Sequence, residues 1–440
     1  MSMLNDMQVN NVLDEEFKLT TEPVVMDNAV EYEWHEIQPD TLAISNPQAS
    51  NWRLQLKNLN AYVNPARAYL EVSCRMTDNA NVNLGAVDAT IQNHILCLFR
   101  RATLRVGGQI VETVNEAHIA KAIVQPLLHY SQDYAASSGT NEMFYLDGPG
   151  YGVVKVPYNA DEDRADFNAG FRRRLDRSNN KEFHAWVPLS ALFGFCSVDR
   201  ILTNNQFIVE LEKSAQHHHI LTGTNTPNQE KVAVNKISIW MPNVLPKSVV
   251  DLSLKSAFAD GVVSNYMYPQ LQCYTVAGGT GTNNFRIVTS SEKVLYAFVM
   301  ARSKVRGLTP GQPTNSAAQT VDYINTLELR LNGRQYPLQP YVNLKGETSD
   351  KSRAYSDTLR YMNRNYDFSS GVQLSFERWL TTSIYTFDFT AQPEANMGAP
   401  ATIELKATTD NVDVEWNVCV LSEKRAQIRY DGGSSVVLVN

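Results

Sequence analysis

Apolar and polar residues alternate along much of this chain in short runs with a period of two. Examples are Trp52-Arg53-Leu54-Gln55-Leu56, Ala68 to Met76, Gln206 to Glu212 and Thr326 to Leu331. A period of two places one set of side chains on each face of a β-strand, so these runs predict half-buried strands. In two places the alternation leads into a two-residue turn. Leu104-Arg105-Val106-Gly107-Gly108-Gln109 is echoed by Leu329-Arg330-Leu331-Asn332-Gly333-Arg334, an offset of 225 in a chain of 440. Gly-Gly and Asn-Gly both tolerate the positive φ that tight hairpins demand. Each hairpin precedes a less regular stretch, ending in Leu127-Leu128-His129-Tyr130 and in Leu359-Arg360-Tyr361. An echo at half the chain length predicts two tandem domains of one fold.

Further strands are expected at Glu182–Leu189, Lys236–Met241, Leu252–Leu254, Tyr266–Tyr274, Val294–Met300, Thr382–Phe389, Thr402–Thr408 and Val412–Leu421. Apolar residues at 119, 120, 123, 124, 127 and 128 predict a helical stretch from Ala117 to Tyr134, broken by Pro126. Residues 137–182, 278–284 and 307–319 read as loops, the first long enough to be functional or part of an interface. Many short strands, long Gly/Pro/Asn loops and few helices point to an all-β pair of sandwiches. The expected division is an N-terminal arm at 1–30, domains at 31–240 and 241–431, and a tail at 432–440. The tail's Gly432-Gly433-Ser434-Ser435 spacer leads to Val436–Val439, a small strand suited to a sheet edge in this chain or a neighbour.

Composition narrows the function. The length suits two domains of roughly 200 residues. The net charge is −7, opposite to the basic balance of a chain-wide nucleic-acid binder. The five cysteines are scattered and odd in number, without a Cys-x-x-Cys pair, which predicts free buried thiols in a reducing compartment. There is no Asn-x-Ser/Thr sequon, and the first residues lack the layout of a signal peptide. No apolar run approaches the ~20 residues of a membrane helix.

The catalytic motifs of esterases, P-loop proteins and zinc proteases are missing, and no catalytic, cofactor-binding or metal-ligating residue is assigned. His217-His218-His219 is a metal candidate only by composition, since adjacent strand residues point to opposite faces. Arg172-Arg173-Arg174 with Arg177 could meet nucleic acid or carboxylates, but a solvated loop offset by Asp161, Glu162, Asp163 and Asp166 is the plainer reading. Trp186, Trp240, Trp379 and Trp416 lie in strand-like runs and are expected as core anchors.

The stretch from Asn93-His94-Ile95-Leu96-Cys97-Leu98-Phe99 through the Gly107-Gly108 hairpin to Tyr130 resembles the first jelly roll of double-jelly-roll major capsid proteins. Trp186-Val187-Pro188-Leu189-Ser190-Ala191-Leu192-Phe193-Gly194-Phe195, followed by Gln206 to Leu211, is similar to capsid proteins of polinton-like viruses, virophages and adintovirus-like relatives. The resemblance is best over about residues 50–240. It implies two eight-stranded jelly rolls with short helical insertions and long loops. It also implies a non-enzymatic, cofactor-free homotrimer forming pseudo-hexagonal capsomers of an icosahedral double-stranded DNA virus, made inside the host cell and carried in the virion. Penton and minor capsid proteins would be partners, without sequence-specific nucleic-acid binding. The arm and the Val436–Val439 tail become candidates for inter-capsomer or inner-face contacts. The alternative is a tandem β-sandwich that binds glycans through loop aromatics such as Tyr145 or Tyr151.

Overall fold

The computed structural model describes residues 30–40, 50–56, 62–78, 82, 89–147, 168–214, 219–222, 231–290, 293–303, 324–345, 351–362, 374–392, 400–410, 414–431 and 434–439. Residues 1–29 of the expected arm, Tyr151, His217, His218, Asp161 to Asp166 and the 307–319 loop lie outside the described residues.

The first ten strands are β1 Val30–Ile37, β2 Asn51–Gln55, β3 Tyr69–Thr77, β4 Ala89–Ile91, β5 Phe99–Val106, β6 Gln109–Asn115, β7 Phe183–Pro188, β8 Phe207–Lys213, β9 Ile220–Thr222 and β10 Lys231–Pro246. Eight of them form two four-stranded sheets, in the orders β1-β10-β3-β7 and β2-β8-β5-β6, while β4 and β9 pair separately. The remaining strands are β11 Val263–Ala277, β12 Gly281–Val288, β13 Lys293–Ser303, β14 Ile324–Leu331, β15 Arg334–Val342, β16 Tyr385–Asp388, β17 Thr402–Thr409, β18 Val414–Asp431 and β19 Ser434–Val439. They repeat the arrangement as β11-β18-β13-β16 and β12-β17-β14-β15, with β19 added beside β18. In each half the chain passes between the two sheets in the same sequence, and all the pairings are antiparallel. This is a double jelly roll.

The echoed hairpins are β5–β6 and β14–β15, the one place in each eight-strand set where consecutive strands are neighbours. Gly107 and Gly108 have φ of 57° and 82°, and Asn332 and Gly333 have 49° and 83°, the left-handed pair such a turn requires. Alternation then sorts side chains. In β17 Ile403, Leu405 and Ala407 face the core while Thr402, Glu404 and Lys406 do not. A chain that alternates over so many strands can bury one face of every sheet and leave the other for contacts.

Several elements differ from the sequence expectation. Leu252-Ser253-Leu254 belongs to a helix, Ser248–Ala259; three alternating residues fit either period. Trp379 is a core anchor as expected, but on the helix Phe376–Thr382. Gly281–Asn284 opens β12. Part of the expected 137–182 loop is helical, at Ser138–Asn141 and Ala169–Ser178, and 148–167 lies outside the described residues. The Ala117–His129 helix continues past Pro126 because the π-helical turn Ala120–Val124 precedes it and the proline falls in the first turn of Gln125–His129. Strand β10 runs unbroken through the expected division at 240.

Candidate assembly interface

The two jelly rolls meet along a seam between β6 and β11. Tyr266, Tyr268, Gln270 and Gln272, on one face of β11, reach the first barrel. Tyr266 and Tyr268 retain only 2% and 1% of their exposure. Phe195 stacks on Tyr266 at 4.7 Å between ring centroids and meets Tyr268 edge-on at 5.5 Å. The Tyr268 hydroxyl donates to the Val111 carbonyl at 2.8 Å, and the amides of Gln270 and Gln272 donate to the Thr113 carbonyl at 3.2 and 3.3 Å. Arg200 donates to the Asn265 carbonyl at 2.6 Å and lies over the Tyr266 ring. Free backbone acceptors along the outer edge of β6 are thus satisfied by side chains of the facing barrel.

The two backbones come close at Gly194. A Cβ there would lie 1.7 Å from the Pro269 carbonyl oxygen, so only glycine lets the two backbones touch. The neighbouring amides of Gly194 and Phe195 donate to the Glu112 carboxylate at 3.1 and 2.9 Å. Burial pushes the Glu112 carboxyl up, against the pull of Lys121 and these amides. Burial likewise draws the Lys121 ammonium down to about 8, and its Nζ donates to Gln125 at 2.9 Å. At the far end of the seam the two echoed post-hairpin segments touch, with His129 hydrogen-bonded to the Tyr361 hydroxyl. Arg378 donates to the Asp147 carbonyl at 2.7 Å. The linking helix Ser248–Ala259 is held by Tyr62, whose hydroxyl donates to Asp251 at 2.9 Å, and by Phe258, whose ring is 4.6 Å from that of Tyr430.

The tail closes the same region. β19 pairs with β18 of its own chain and Val437 packs against Gly107, where a Cβ would come within 2.7 Å of it. Its pairing edge is used inside the chain, while Val436 and Leu438 face outward.

A second aromatic surface lies on the outer face of β1-β10-β3-β7 and is only partly covered. Trp34, Tyr69, Trp186 and Trp240 form a chain of ring contacts at 6.1, 6.5 and 5.7 Å. Trp186 and Trp240 are therefore half-buried on an outer face and not in the core, correcting the sequence expectation; Trp379 and Trp416 are fully buried. Strict alternation gives the reason, since Phe183, Ala185 and Val187 take the inward face of β7. Glu71 sits among these rings, accepting from Lys236 at 2.8 Å, Trp240 Nε1 at 2.8 Å and Ser238 at 3.0 Å. Burial would raise its carboxyl, but these donors outweigh it and hold the group below its usual range.

The other sequence candidates have structural roles. Arg174 is fully buried, 2.6 Å from Asp147 and bonded to the Tyr145 carbonyl; Arg177 donates to the His184 carbonyl at 3.1 Å and to the Tyr145 hydroxyl at 3.3 Å; Arg172 pairs with Asp176 at 3.1 Å. The basic run is a helix that clamps the segment before it, and only Arg173 is exposed, so the solvated-loop reading is corrected. His219 is buried against Ser214 at 3.1 Å. All five cysteines are free and buried. Among the described residues no group of His, Cys, Asp and Glu is arranged to hold a metal, and no helix is long and apolar enough to cross a membrane.

The architecture defines the chain as a double-jelly-roll protein. Solved structures share it over nearly their whole length. The Sputnik virophage structure aligns with a TM-score of 0.59 at 11% identity, covering 97% of this chain and 92% of that one. The capsid of the virus PBCV-1 gives 0.54 at 11%, covering 96% and 99%. The mavirus major capsid protein gives 0.51 at 11%, covering 98% and 94%. No protein-family model and no curated protein matches the sequence.

Proposed function

We propose that this chain is a major capsid protein that forms homotrimeric, pseudo-hexagonal capsomers in the icosahedral shell of a double-stranded DNA virus. The observation that carries this reading is two barrels of identical strand order, tightly joined, sharing a fold with capsid proteins over at least 96% of the chain. Duplication explains the arrangement physically. Three chains of two barrels each present six similar units, so a threefold particle can tile a near-sixfold lattice. The work of such a molecule is burial between subunits, commonly on the order of 2,000–5,000 Å² for obligate contacts. Catalysis and sequence-specific nucleic-acid binding have no part in it. The protein is assembled in the host cell and resides in the virion, with penton and minor capsid proteins as partners. We place the division between its two domains in the helix Ser248–Ala259. The test is the native mass by light scattering. A trimer of the 49.4 kDa chain with hexagonal outlines in negative stain is the expected result; a stable monomer at high concentration would overturn the reading.

A further inference from the structure

We propose that Cys273 and Cys419 form a redox staple, two thiols that join as a disulfide between β11 and β18 when the protein leaves a reducing compartment and part again when it returns to one. The passage between compartments rests on the function proposed above; the bond itself follows from the fold.

Strand register sets the pair. β11 and β18 are antiparallel, and Cys273 stands directly opposite Cys419. Residues so placed project to the same face, with Cα atoms about 4.5–5.5 Å apart. A disulfide needs roughly 4.4–6.8 Å between Cα atoms, and the two thiols are already hydrogen-bonded to each other. None of the other three stands opposite a cysteine. Cys74 faces Val234 and Phe183, while Cys97 and Cys196 sit in the helical turns Ile95–Leu98 and Gly194–Ser197.

The same geometry makes the bond reversible. Opposite strand residues hold their Cβ atoms about 4.5–5.5 Å apart, and a relaxed disulfide draws them to roughly 3.5–4.5 Å. Bridging therefore pulls the strands together, and a strained disulfide is the more easily reduced kind.

The surroundings suit a slow, controlled reaction. Both thiols are buried, on the face of β11 opposite to Tyr266 and Tyr268, where Glu116 of the first barrel and the buried Arg302 act on their charge. Burial and the neighbouring thiol push Cys273 well up, which keeps the reduced pair protonated and inert. Arg302 offsets part of this and offers a cation to the thiolate as it forms. β11 ends its sheet and is paired with β18 alone, so local opening admits a small oxidant. With hydrogen peroxide, one thiolate attacks an oxygen and becomes a sulfenic acid, and the displaced hydroxide leaves as water. The second sulfur then displaces hydroxide from the sulfenic acid, forming the S–S bond and a second water. Two thiols and one peroxide give one disulfide and two waters. The bond ties the strand that carries the inter-barrel seam to the longest strand of the second jelly roll.

The experiment uses the full chain, purified under dithiothreitol, freed of it, and treated at length with hydrogen peroxide or, in parallel, with oxidised glutathione. Remaining thiols are alkylated in denaturant and mapped by mass spectrometry. The expected result is loss of two of the five thiols, a linked peptide pair holding Cys273 and Cys419, and a Tm higher by about 4–16 °C, all reversed by dithiothreitol in the folded protein. Cys273→Ala and Cys419→Ala should each lose no thiol and show no shift, while Cys74→Ala behaves as wild type. If the alanine variants fail to fold, the wild-type peptide map decides. Five alkylated thiols after oxidation, a sulfinic acid or glutathione adduct in place of the bond, or a bond between other cysteines overturns the proposal. A trimer without the bond removes the staple and leaves the capsid reading; a monomer with the bond does the reverse.

Discussion

Replacing Gly194 by alanine tests the seam directly. The new Cβ would lie 1.7 Å from the Pro269 carbonyl oxygen and 2.9 Å from its carbon. Ordinary contact needs roughly 3.5 Å, so the two backbones must separate by about 1.5–2 Å. The clash involves main chain on both sides, and no side-chain rotamer relieves it. Overpacking of this kind typically costs about 1–3 kcal/mol. Separation also strains the bonds of 3.1 and 2.9 Å from Gly194 and Phe195 to Glu112. A buried carboxylate losing its donors adds about 1–3 kcal/mol. The sum is roughly 4 kcal/mol, which for a domain of this size corresponds to a fall in Tm of about 8–16 °C. Calorimetry at a fixed scan rate measures it. Gly108→Ala is the control, since its φ is 82° but nothing lies within 4 Å; left-handed strain alone costs about 1–2 kcal/mol. A Gly194→Ala protein melting within about 2 °C of wild type would refute the argument that backbone contact sets the spacing of the barrels.

Other outcomes follow from the same structure. Glu142 is buried and accepts from Tyr130 at 2.5 Å, from Tyr134, and pairs with His94 at 2.7 Å; burial would raise its carboxyl, but these partners outweigh it and lower it below 4.5. A depressed carboxyl contributes stability that is complete above the unfolded value and lost as pH falls through the folded one, so urea melts should show wild type losing more stability below pH 4.5 than Glu142→Gln, which is itself weaker by about 1–3 kcal/mol at neutral pH. Trp416→Ala, at a fully buried position, should cost about 3–5 kcal/mol in chemical denaturation. Burial pushes the Cys97 thiol up to about 12, so a thiol reagent should label no native cysteine and all five after denaturation. Deleting Ser434 to Asn440 removes the strand beside β18 and the buried Val437, and should cost about 1.5–3 kcal/mol in thermal melts while exposing an edge that promotes aggregation.

The repeated hairpin and the alternating strands made a tandem pair of β-sandwiches legible before any coordinates, because period two and turn chemistry are local properties, while the jelly-roll strand order was implied by the resemblance. The seam was less so. Gly194 stands in a run that resembles capsid proteins, but the reason for it, the Pro269 carbonyl, is 75 positions away in sequence. Glu112 reads as an ordinary strand carboxylate until Gly194 and Phe195 are seen to donate to it. Trp186 and Trp240 were misplaced because size was weighed above alternation. Helix Ser248–Ala259 has an exposed Leu252, so its apolar periodicity is too weak to separate it from a strand.

In the capsomer proposed above, that helix would also govern assembly. By tethering one barrel to the next, and being pinned between Tyr62 and Tyr430, it would turn every second seam of a six-barrel ring into an intramolecular event. Linked partners meet at effective concentrations on the order of millimolar for short connections. A ring of separate barrels would need five productive collisions, whereas three tethered pairs need two. Dilution would then slow formation of the proposed capsomer far less steeply than the number of barrels implies.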